Sequence, residues 1–347
     1  MKEKPGLQEA CIIDHLREAY GVEIAGVEFL PIGDVSSAKY RVVTREKVPY
    51  FLKLRRDGFG FREISVTVPY FLHAQGIRQV ISPLETRDGR LWTDLEAYTC
   101  ILYPYFSGRN GFQDPLSDEQ WVELGAALKR VHSATLPAEL QGMIPSETFS
   151  PTWRERARGF LEQADSNAYP DPVAKTMAAL LHAHRDEIRQ VIERAEALGK
   201  ALQSQQLERV LCHTDIHAGN ILLEANGSLH MIDWDDPMLA PRERDLMFIG
   251  GGVGGTWNTP GEEALFYRGY GEAKINPDAL AYYRCERIVI DVVEYSQQLL
   301  STTEGGADRE RGLEKFSSMF LPRQVLEIAL SAMVFRRSFT SAAWQSR

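Results

Sequence analysis

Hydrophobic positions in the first sixty residues recur first with the period of a helix and then with the two-residue period of strands. The helical pattern covers about 7–20, with apolar residues on one face, and Gly21 ends it. Three short strand-like runs follow at 27–31, 38–44 and 50–54, and turn-forming residues separate them. Three such strands in succession predict an antiparallel meander.

Helical and strand-like patterns continue to about residue 105. A second helix is predicted at 61–75, where Gly76 ends the apolar repeat. Further strand-like runs lie near 79–84, 90–93 and 97–105. The first hundred residues therefore form a β-rich region with two helices.

The pattern changes after residue 105. The segment 107–111 predicts a loop, and most of the chain beyond it has helical periodicity. Ser117, with Gln120 three residues later, has the signature of a capping box at a helix start. The predicted helices cover 117–132, 152–165, 172–198, 277–300 and 322–339.

One β-hairpin interrupts this helical half. The pair Asn226 and Gly227 separates two short apolar runs, 220–223 and 228–232. Asn-Gly favours the tight turn of a two-stranded hairpin, because both residues tolerate a positive φ. A hairpin is therefore predicted inside the helical region.

The order of elements predicts an α+β fold with two lobes. A small lobe at 1–102 combines an antiparallel sheet with helices, a hinge follows at 103–106, and a larger helical lobe takes 107–347. A chain of 347 residues with 44% hydrophobic content is long enough to form more than one core.

Charge and composition narrow the function classes. The formal net charge of −9 disfavours nucleic acid and anionic membranes and tolerates a small cationic substrate. The chain has no signal-peptide stretch and no run of transmembrane length, so the expected location is cytoplasmic. Four scattered cysteines without a CxxC pair disfavour a zinc ribbon or a disulfide framework. No protein partner is implied.

The most informative segment lies around the hairpin and reads HTDIHAGN, followed by IDWDD. It presents the carboxylate of Asp215 and, five positions later, the carboxamide of Asn220. The hairpin returns the chain, so Asp233 at its end is expected beside Asn220. Carboxylate and amide oxygens suit Mg²⁺, and Asp215 remains to orient an incoming hydroxyl. This HxDxxxxN…D spacing is typical of kinase-type phosphoryl transfer from ATP.

A strand lysine completes this chemistry. Lys53 lies in the run FLKL, where an inward-facing ammonium needs an anionic partner. Glu63, ten residues later, is the expected partner, and the pair would place the ammonium on the α- and β-phosphates. The turn that begins at Gly33 has two serines, Ser36 and Ser37, that are candidates for phosphate contact. Its single glycine departs from the GxGxxG loop of protein kinases.

These segments resemble the aminoglycoside phosphotransferases, kinase-like enzymes that phosphorylate antibiotics and metabolites. HTDIHAGNILL with IDWDD is similar to the catalytic loop and metal-binding strand of that family. ILYPYFSGRNGF and DWDDPMLAPRERDLMFIGGGVGG are similar to its spectinomycin-phosphorylating members. The resemblance covers about 20–295 and implies a protein-kinase-like bilobal fold.

The resemblance also implies an activity and further residue roles. Adenine is expected at the backbone of Leu102, Tyr103 and Tyr105, and Asp245 is expected to brace the catalytic loop. The expected reaction moves the γ-phosphate of ATP, with Mg²⁺, to a hydroxyl of an aminoglycoside or aminocyclitol, with spectinomycin as the expected substrate and antibiotic resistance as the outcome. Protein-kinase DFG and APE elements are missing, which disfavours protein substrates.

An acidic pocket for the amines of such a substrate is predicted from two stretches. The candidates are Asp235, Asp236, Glu286, Asp291 and Glu294, with Trp257 as an apolar wall. The alternatives are that the two aspartates after Trp234 cap a turn, and that Asp291 pairs with Arg287 on a solvated helix face.

Other readings of the motif stay open. His213 and His217 flank Asp215 as HxDxH, which also occurs in zinc hydrolases. His213 is expected to hold the loop by hydrogen bonds, and His217 either does the same or contacts the substrate. A metabolic kinase acting on a choline-like, amino-alcohol or sugar substrate is an alternative, as is a nucleotide-binding pseudokinase. The complete set of catalytic residues argues against the pseudokinase.

Overall fold

The structure is a computed structural model that describes residues 4–33, 36–58, 62–166, 168–303 and 305–331. Its contacts group the chain into two compact units. The first unit contains Met1–Pro145 and Leu211–Leu239, and the second contains Ser146–Val210 and Ala240–Arg347. Neither unit begins or ends at the predicted hinge, 103–106, and the predicted lobe boundaries stay a prediction.

An antiparallel sheet and one helix open the first unit. The sheet has five strands in the order β1-β2-β3-β5-β4, and its first three strands form the predicted meander. Gly21, at φ 72°, ends the helix as predicted. The elements are α1 (Glu9–Tyr20), β1 (Ile24–Leu30), β2 (Ser37–Thr44), β3 (Pro49–Arg56), β4 (Thr93–Leu95) and β5 (Tyr98–Pro104).

Alternation along the strands decides which face of the sheet is buried. Tyr40 on β2 and Leu52 on β3 are direct partners, and both are fully buried. Ile12 and Leu16 of α1 pack into the same cluster. This arrangement gives the sheet one apolar face covered by α1, and it sends every second side chain of β2 and β3 to the opposite face.

The segment between β3 and β5 differs from the prediction. Helix α2 covers Ile64–Ala74, and the beginning of the predicted helix at residue 61 lies outside the described residues. The strand predicted at 79–84 is wrong, since only Val80 makes a bridge there, to Met231. Pro83 lacks the N–H that a continued ladder needs.

The rest of the first unit contains the predicted hairpin. Strands β8 and β9 pair antiparallel on either side of the Asn-Gly turn, which confirms that prediction. The loop predicted at 107–111 is wrong, because β6 forms there and pairs with β8. The elements are β6 (Gly108–Asn110), α3 (Asp118–His132), α4 (Ala138–Met143), β7 (Val210–Cys212), β8 (Ile221–Glu224), β9 (Leu229–Met231) and β10 (Met238–Ala240).

Local sequence decides the start of α3. The Ser117 hydroxyl accepts from the backbone N–H of Gln120, and the Gln120 side chain accepts from the backbone N–H of Ser117, so the predicted capping box is confirmed.

Strands β7 and β10 form a separate two-stranded sheet, and the chain between them carries HTDIHAGN and IDWDD.

The second unit is helical in its described part, and its core surrounds one long helix. This central helix, α10, packs against α5, α6, α7, α11 and α12. The helices are α5 (Thr152–Ser166), α6 (Pro172–Ala183), α7 (Arg185–Gln203), α8 (Glu243–Leu246), α9 (Pro260–Tyr270), α10 (Pro277–Leu300), α11 (Gly306–Ser318) and α12 (Val325–Ser331).

Two helix predictions in this unit need correction. The helix predicted at 172–198 is two helices, since His184 caps the end of α6 and the start of α7. Asp186 and Glu187 then favour a new N-terminus by lying in its first turn. The helix predicted at 322–339 begins later, at Val325, and 332–339 lie outside the described residues. In the described ranges, no helix combines the length and apolarity needed to cross a membrane.

Candidate active site

Basic side chains line the sheet face that α1 leaves uncovered. Lys39 on β2 lies directly opposite Lys53 on β3, and Ser37 lies opposite Arg55. Partners across antiparallel strands project to the same face. Lys39, Lys53 and Arg55 therefore share one face. Lys39 and Arg55 are absent from the sequence-based prediction, although their two-residue spacing from Ser37 and Lys53 is visible in the sequence.

Lys53 is buried and bonded to two aspartates. Its Nζ donates to Asp233 Oδ1 at 2.9 Å and to Asp235 Oδ1 at 2.8 Å. The predicted pair of Lys53 with Glu63 is wrong within the described residues, because Glu63 is exposed at the N-cap position of α2. Glu63 keeps its hydration there, while the hairpin brings two carboxylates to an ammonium that is already desolvated.

Electrostatics keeps Lys53 and Asp233 ionised. Burial alone would lower the pKa of Lys53, but the charges of Asp233 and Asp235 outweigh it and raise that pKa. The ammonium of Lys53 in turn lowers the pKa of Asp233 well below its usual range, against the effect of burial, and Lys39 adds to this lowering. Asp233 holds a positive φ of 64°, an uncommon conformation for a non-glycine residue.

Asp235 contacts two cations of the sheet. Its second oxygen, Oδ2, lies 2.9 Å from Arg55 Nη1, so both oxygens face cations of the sheet. Asp235 thus bridges Lys53 and Arg55, and the substrate role predicted for it stays a prediction. Asp236 is exposed and pairs with Arg62 at 3.4 Å, and its substrate role stays a prediction.

The catalytic loop after β7 is held by its own hydrogen bonds. The backbone N–H of Asp215 donates to His213 Nδ1 at 3.3 Å, so the ring proton is on Nε2, which donates to Ile232 O at 2.9 Å. Thr214, at φ 77°, donates from Oγ1 to Asp236 O at 3.0 Å. The loop-holding bonds expected of His213 are present, and they occupy both nitrogens that a zinc ion would need.

The three oxygen-bearing groups of the motif converge. Asn220 Nδ2 donates to Asp215 O at 2.9 Å and to Asp215 Oδ2 at 3.2 Å. Its backbone carbonyl accepts from Ile232 N at 3.0 Å, which brings Asn220 next to Asp233. Because the amide nitrogen points to Asp215, the amide oxygen is the atom that Asn220 offers to a cation. This oxygen and the Asp233 carboxylate form a donor set that fits Mg²⁺.

The predicted nucleotide contacts are untested by this geometry. The carbonyl of Leu102 accepts from Leu84 N at 2.8 Å, while Tyr103 is half-buried and burial raises its pKa. Tyr105 lies under the guanidinium of Arg41. Ser36 and Ser37 are in place at the start of β2, and residues 34 and 35 of the turn lie outside the described residues. Adenine and phosphate contacts at these positions stay predictions.

The acidic pocket predicted in the second unit does not form as expected. Glu286 is 5% exposed and accepts from Arg154 Nη1 at 2.6 Å, so it belongs to the core. Asp291 lies 3.1 Å from Arg287 Nε, so the alternative pairing is present, but the two side chains are only 14% and 20% exposed and do not form the solvated helix face expected with it. Glu294 is exposed and Trp257 is 4% exposed, and their substrate roles stay predictions.

Asp245 is fully buried on α8. The short helix places it among Glu243 and Leu246, which are also buried. A buried carboxylate needs a hydrogen-bonding or charged environment, in agreement with a structural role. The brace predicted between Asp245 and the catalytic loop stays a prediction.

The chain is similar to known proteins along most of its length. The sequence profile of the phosphotransferase enzyme family matches residues 28–283. The chain belongs to this phosphotransferase enzyme family. A solved structure of spectinomycin phosphotransferase, in complex with ADP and spectinomycin, is 37% identical with a TM-score of 0.88, covering 95% of this chain and 99% of the other. Protein StrN of Streptomyces griseus is 26% identical, over 86% of this chain and 88% of its own length.

More distant structures share the fold. Plasmodium vivax ethanolamine kinase is 16% identical with a TM-score of 0.61, covering 96% of this chain and 93% of the kinase. The kinase-like α+β fold expected from the sequence is thereby confirmed, as is the expected enzyme class, a phosphotransferase of the small-molecule kinase type.

Proposed function

We propose that this phosphotransferase moves the γ-phosphoryl group of ATP to a hydroxyl of spectinomycin. The observation that carries the proposal is the convergence of Asp215, Asn220, Asp233 and Lys53 in one compact unit. The 37% identity to a phosphotransferase that binds ADP and spectinomycin supports the acceptor. The ethanolamine kinase, at 16% identity, supports only the fold.

The basic face of the sheet would bind the phosphates of ATP. In this proposal Lys53 contacts the phosphates of ATP. Lys39 and Arg55, which share its face of the sheet, add positive charge. Backbone and side chains are already ordered there by strand pairing, so little reorganisation is needed when the phosphates bind. Lys53 then exchanges part of its contact with Asp233 and Asp235 for phosphate oxygens.

Asn220 and Asp233 would hold Mg²⁺ through the amide oxygen and the carboxylate. When bound, the ion neutralises charge that develops on the phosphate oxygens. The residues of this chain bring the two oxygen donors together through the Asn220–Ile232 backbone bond.

Asp215 faces the acceptor in this proposal. The acceptor hydroxyl donates to the Asp215 carboxylate, and its oxygen attacks the γ-phosphorus as the bond to the β,γ-bridging oxygen breaks. ADP leaves, and the hydroxyl proton passes to Asp215. Asn220 holds the carboxylate of Asp215 in place through its amide hydrogens.

The test is a coupled ADP-release assay with purified protein, ATP and Mg²⁺ over a panel of spectinomycin, choline and ethanolamine. Spectinomycin-dependent ADP release well above the background ATP hydrolysis is expected, with a phosphorylated product by mass spectrometry. Turnover of choline or ethanolamine alone would move the enzyme to metabolic kinases. Nucleotide binding without any turnover would indicate a pseudokinase.

Asp215→Ala tests the assigned role of this residue. Loss of the group that orients and deprotonates the hydroxyl is expected to lower kcat by about 10²- to 10⁴-fold. The Kd for ATP should change little, because Asp215 lies on the acceptor side. Near-normal turnover in this variant would refute the mechanism even if spectinomycin is the substrate.

A further inference from the structure

The segment that follows the predicted hinge is tied to the catalytic loop. Gly111 N–H donates to Ala218 O at 2.8 Å and to Ile221 O at 3.0 Å. Asn110 Oδ1 accepts from the backbone N–H of Phe112 at 3.1 Å, which shapes the turn after β6. The backbone of Phe112 is therefore held in place, although the residue is 43% exposed.

Phe112 packs against a histidine of the catalytic loop. Its ring stacks on His217 with centroids 5.4 Å apart and planes 26° from parallel. A Cβ at Gly219 would lie 2.6 Å from Phe112 Cε2 and 2.7 Å from His217 Cε1. The two rings therefore fill the space above Gly219, and a side chain there would push them apart.

The hydrogen bond of the His217 ring determines its tautomer. Gly219 N–H donates to Nδ1 at 2.9 Å, so Nδ1 is an acceptor and the proton of the neutral ring is on Nε2. Nε2 lies 3.4 Å from Asp215 Oδ2, the same oxygen that accepts from Asn220 Nδ2 at 3.2 Å. This distance is longer than a normal hydrogen bond, and contacts between catalytic groups often shorten to hydrogen-bond length only when substrates bind.

We propose that His217 is a positioning residue for Asp215. Its Nε2–H and the amide of Asn220 hold Oδ2 from two directions, so that Oδ1 is presented to the acceptor hydroxyl. Phe112 clamps the imidazole ring in this orientation, and Gly219 both fixes the tautomer and makes room for the stack. The inference rests on the proposed role of Asp215 as the group that receives the hydroxyl proton.

A purely structural role makes a different prediction. His217 is also the N-cap of the short 3-10 turn at Ala218–Asn220, through the same Gly219 bond. Asparagine places its oxygen near the Nδ1 position and keeps the cap, but it has no donor at the Nε2 position. Glutamine places its amide near the Nε2 position and loses the cap. The two substitutions therefore separate the two roles.

The test compares His217→Asn with His217→Gln in steady-state kinetics. His217→Asn is expected to lower kcat roughly tenfold or more, since a small displacement of a reacting group is costly, with KM for ATP nearly unchanged. His217→Gln is expected to lose less of kcat than His217→Asn. The reverse order, with asparagine close to wild type and glutamine impaired, would show that only the cap matters and would overturn the proposal.

Phe112→Leu provides a second test that does not alter the catalytic loop. Because Phe112 is 43% exposed and is not part of a buried core cluster, the variant is expected to fold normally, which a thermal melt checks. A fall in kcat at constant KM for ATP is expected, because leucine cannot stack on the imidazole. Unchanged kcat in both Phe112→Leu and His217→Asn would overturn the proposal.

A double variant separates failure of this inference from failure of the proposed function. If His217 acts through Asp215, adding His217→Asn to Asp215→Ala should cause no further loss of kcat. Full activity of Asp215→Ala would reject the proposed function. Inactive Asp215→Ala beside fully active His217→Asn would reject only the positioning role.

Discussion

At the residue scale, the geometry of the site depends on which carboxylates pair with the buried ammonium of Lys53. Lys53 is buried on β3, and two aspartates reach it from the segment after β9. Asp235 also contacts Arg55, so one carboxylate bridges two cations that lie two residues apart on β3. This bridge positions the lysine that is proposed to bind the phosphates.

Asp235→Asn tests whether this carboxylate serves the nucleotide or the acceptor. Loss of a charge-assisted bond costs about 1.5–3 kcal/mol, so KM for ATP is expected to rise about tenfold or more. KM for spectinomycin should stay close to wild type. Both constants are measured in the ADP-release assay.

Asp236→Asn is the matched control, because its carboxylate is exposed and pairs only loosely with Arg62, at 3.4 Å. It should leave KM for ATP unchanged. A selective rise in KM for spectinomycin in Asp235→Asn would instead support the substrate role that the sequence indicated.

At the element scale, helices of the second unit pack through apolar faces and pair at their edges. Ile188, Val191, Ile192 and Ala195 of α7 are buried in the helical core. At the edge of this face, Glu196 accepts from Lys200 on the same helix at 2.7 Å and from Arg158 on α5. One glutamate thus links α7 to α5.

This link is expected to depend on pH. The bonds from Lys200 and Arg158 lower the pKa of Glu196 from 4.5 to about 2. A depressed folded-state pKa stabilises the fold above the unfolded-state value and loses that contribution as pH falls toward the folded-state value. Glu196→Gln should therefore be less stable than wild type at pH 7, and the difference should shrink between pH 4.5 and pH 2.

Urea denaturation at pH 7, 4 and 3 measures that difference. Glu193→Gln, an exposed change on the same helix, is the control and should track wild type at each pH. A difference between wild type and Glu196→Gln that stays constant from pH 7 to pH 3 would contradict the ionic origin of the link.

At the scale of the whole molecule, the second unit is built around a buried ion pair. Arg154 of α5 is 2% exposed and Glu286 of α10 is 5% exposed. The guanidinium of Arg154 also donates to Tyr282 Oη at 3.1 Å and to Phe149 O at 3.1 Å. Burial raises the pKa of Glu286 although Arg154 donates to it. Such a pair fixes the orientation of α5 against α10 more than it adds stability.

Removing one partner of this pair should be costly. Glu286→Ala leaves a buried guanidinium without its counter-charge, and the free energy of unfolding is expected to fall by about 3–5 kcal/mol. The double variant Arg154→Met with Glu286→Leu should lose much less, because no charge is then buried. Equilibrium denaturation of both variants measures the difference.

Glu294→Ala on the same helix is the control for stability, since an exposed substitution should change it by less than about 0.5 kcal/mol. KM for spectinomycin in the double variant tests the substrate role first predicted for Glu286. A large rise in this KM, in a protein of near-normal stability, would restore Glu286 to the acceptor site.

The structural features that the sequence predicts correctly are those formed by residues close together in the chain. Gly21, the Ser117 capping box and the Asn226-Gly227 turn act within a few residues, and all three were readable from the sequence. The strand at 108–110 was not, because its partner β8 lies more than a hundred residues away. The break at His184 cannot be predicted from periodicity, because the apolar pattern continues through it.

By itself, the sequence determined the family, the kinase-like fold and the spacing of Asp215, Asn220 and Asp233, since a short loop and a hairpin suffice to bring these groups together. Only the tertiary structure decided which carboxylates meet Lys53, that Glu286 is buried, and that Phe112 stacks on His217. The physical reason is that the pairing of charges and rings depends on which surfaces exclude water, and that is decided by contacts between segments distant in the chain.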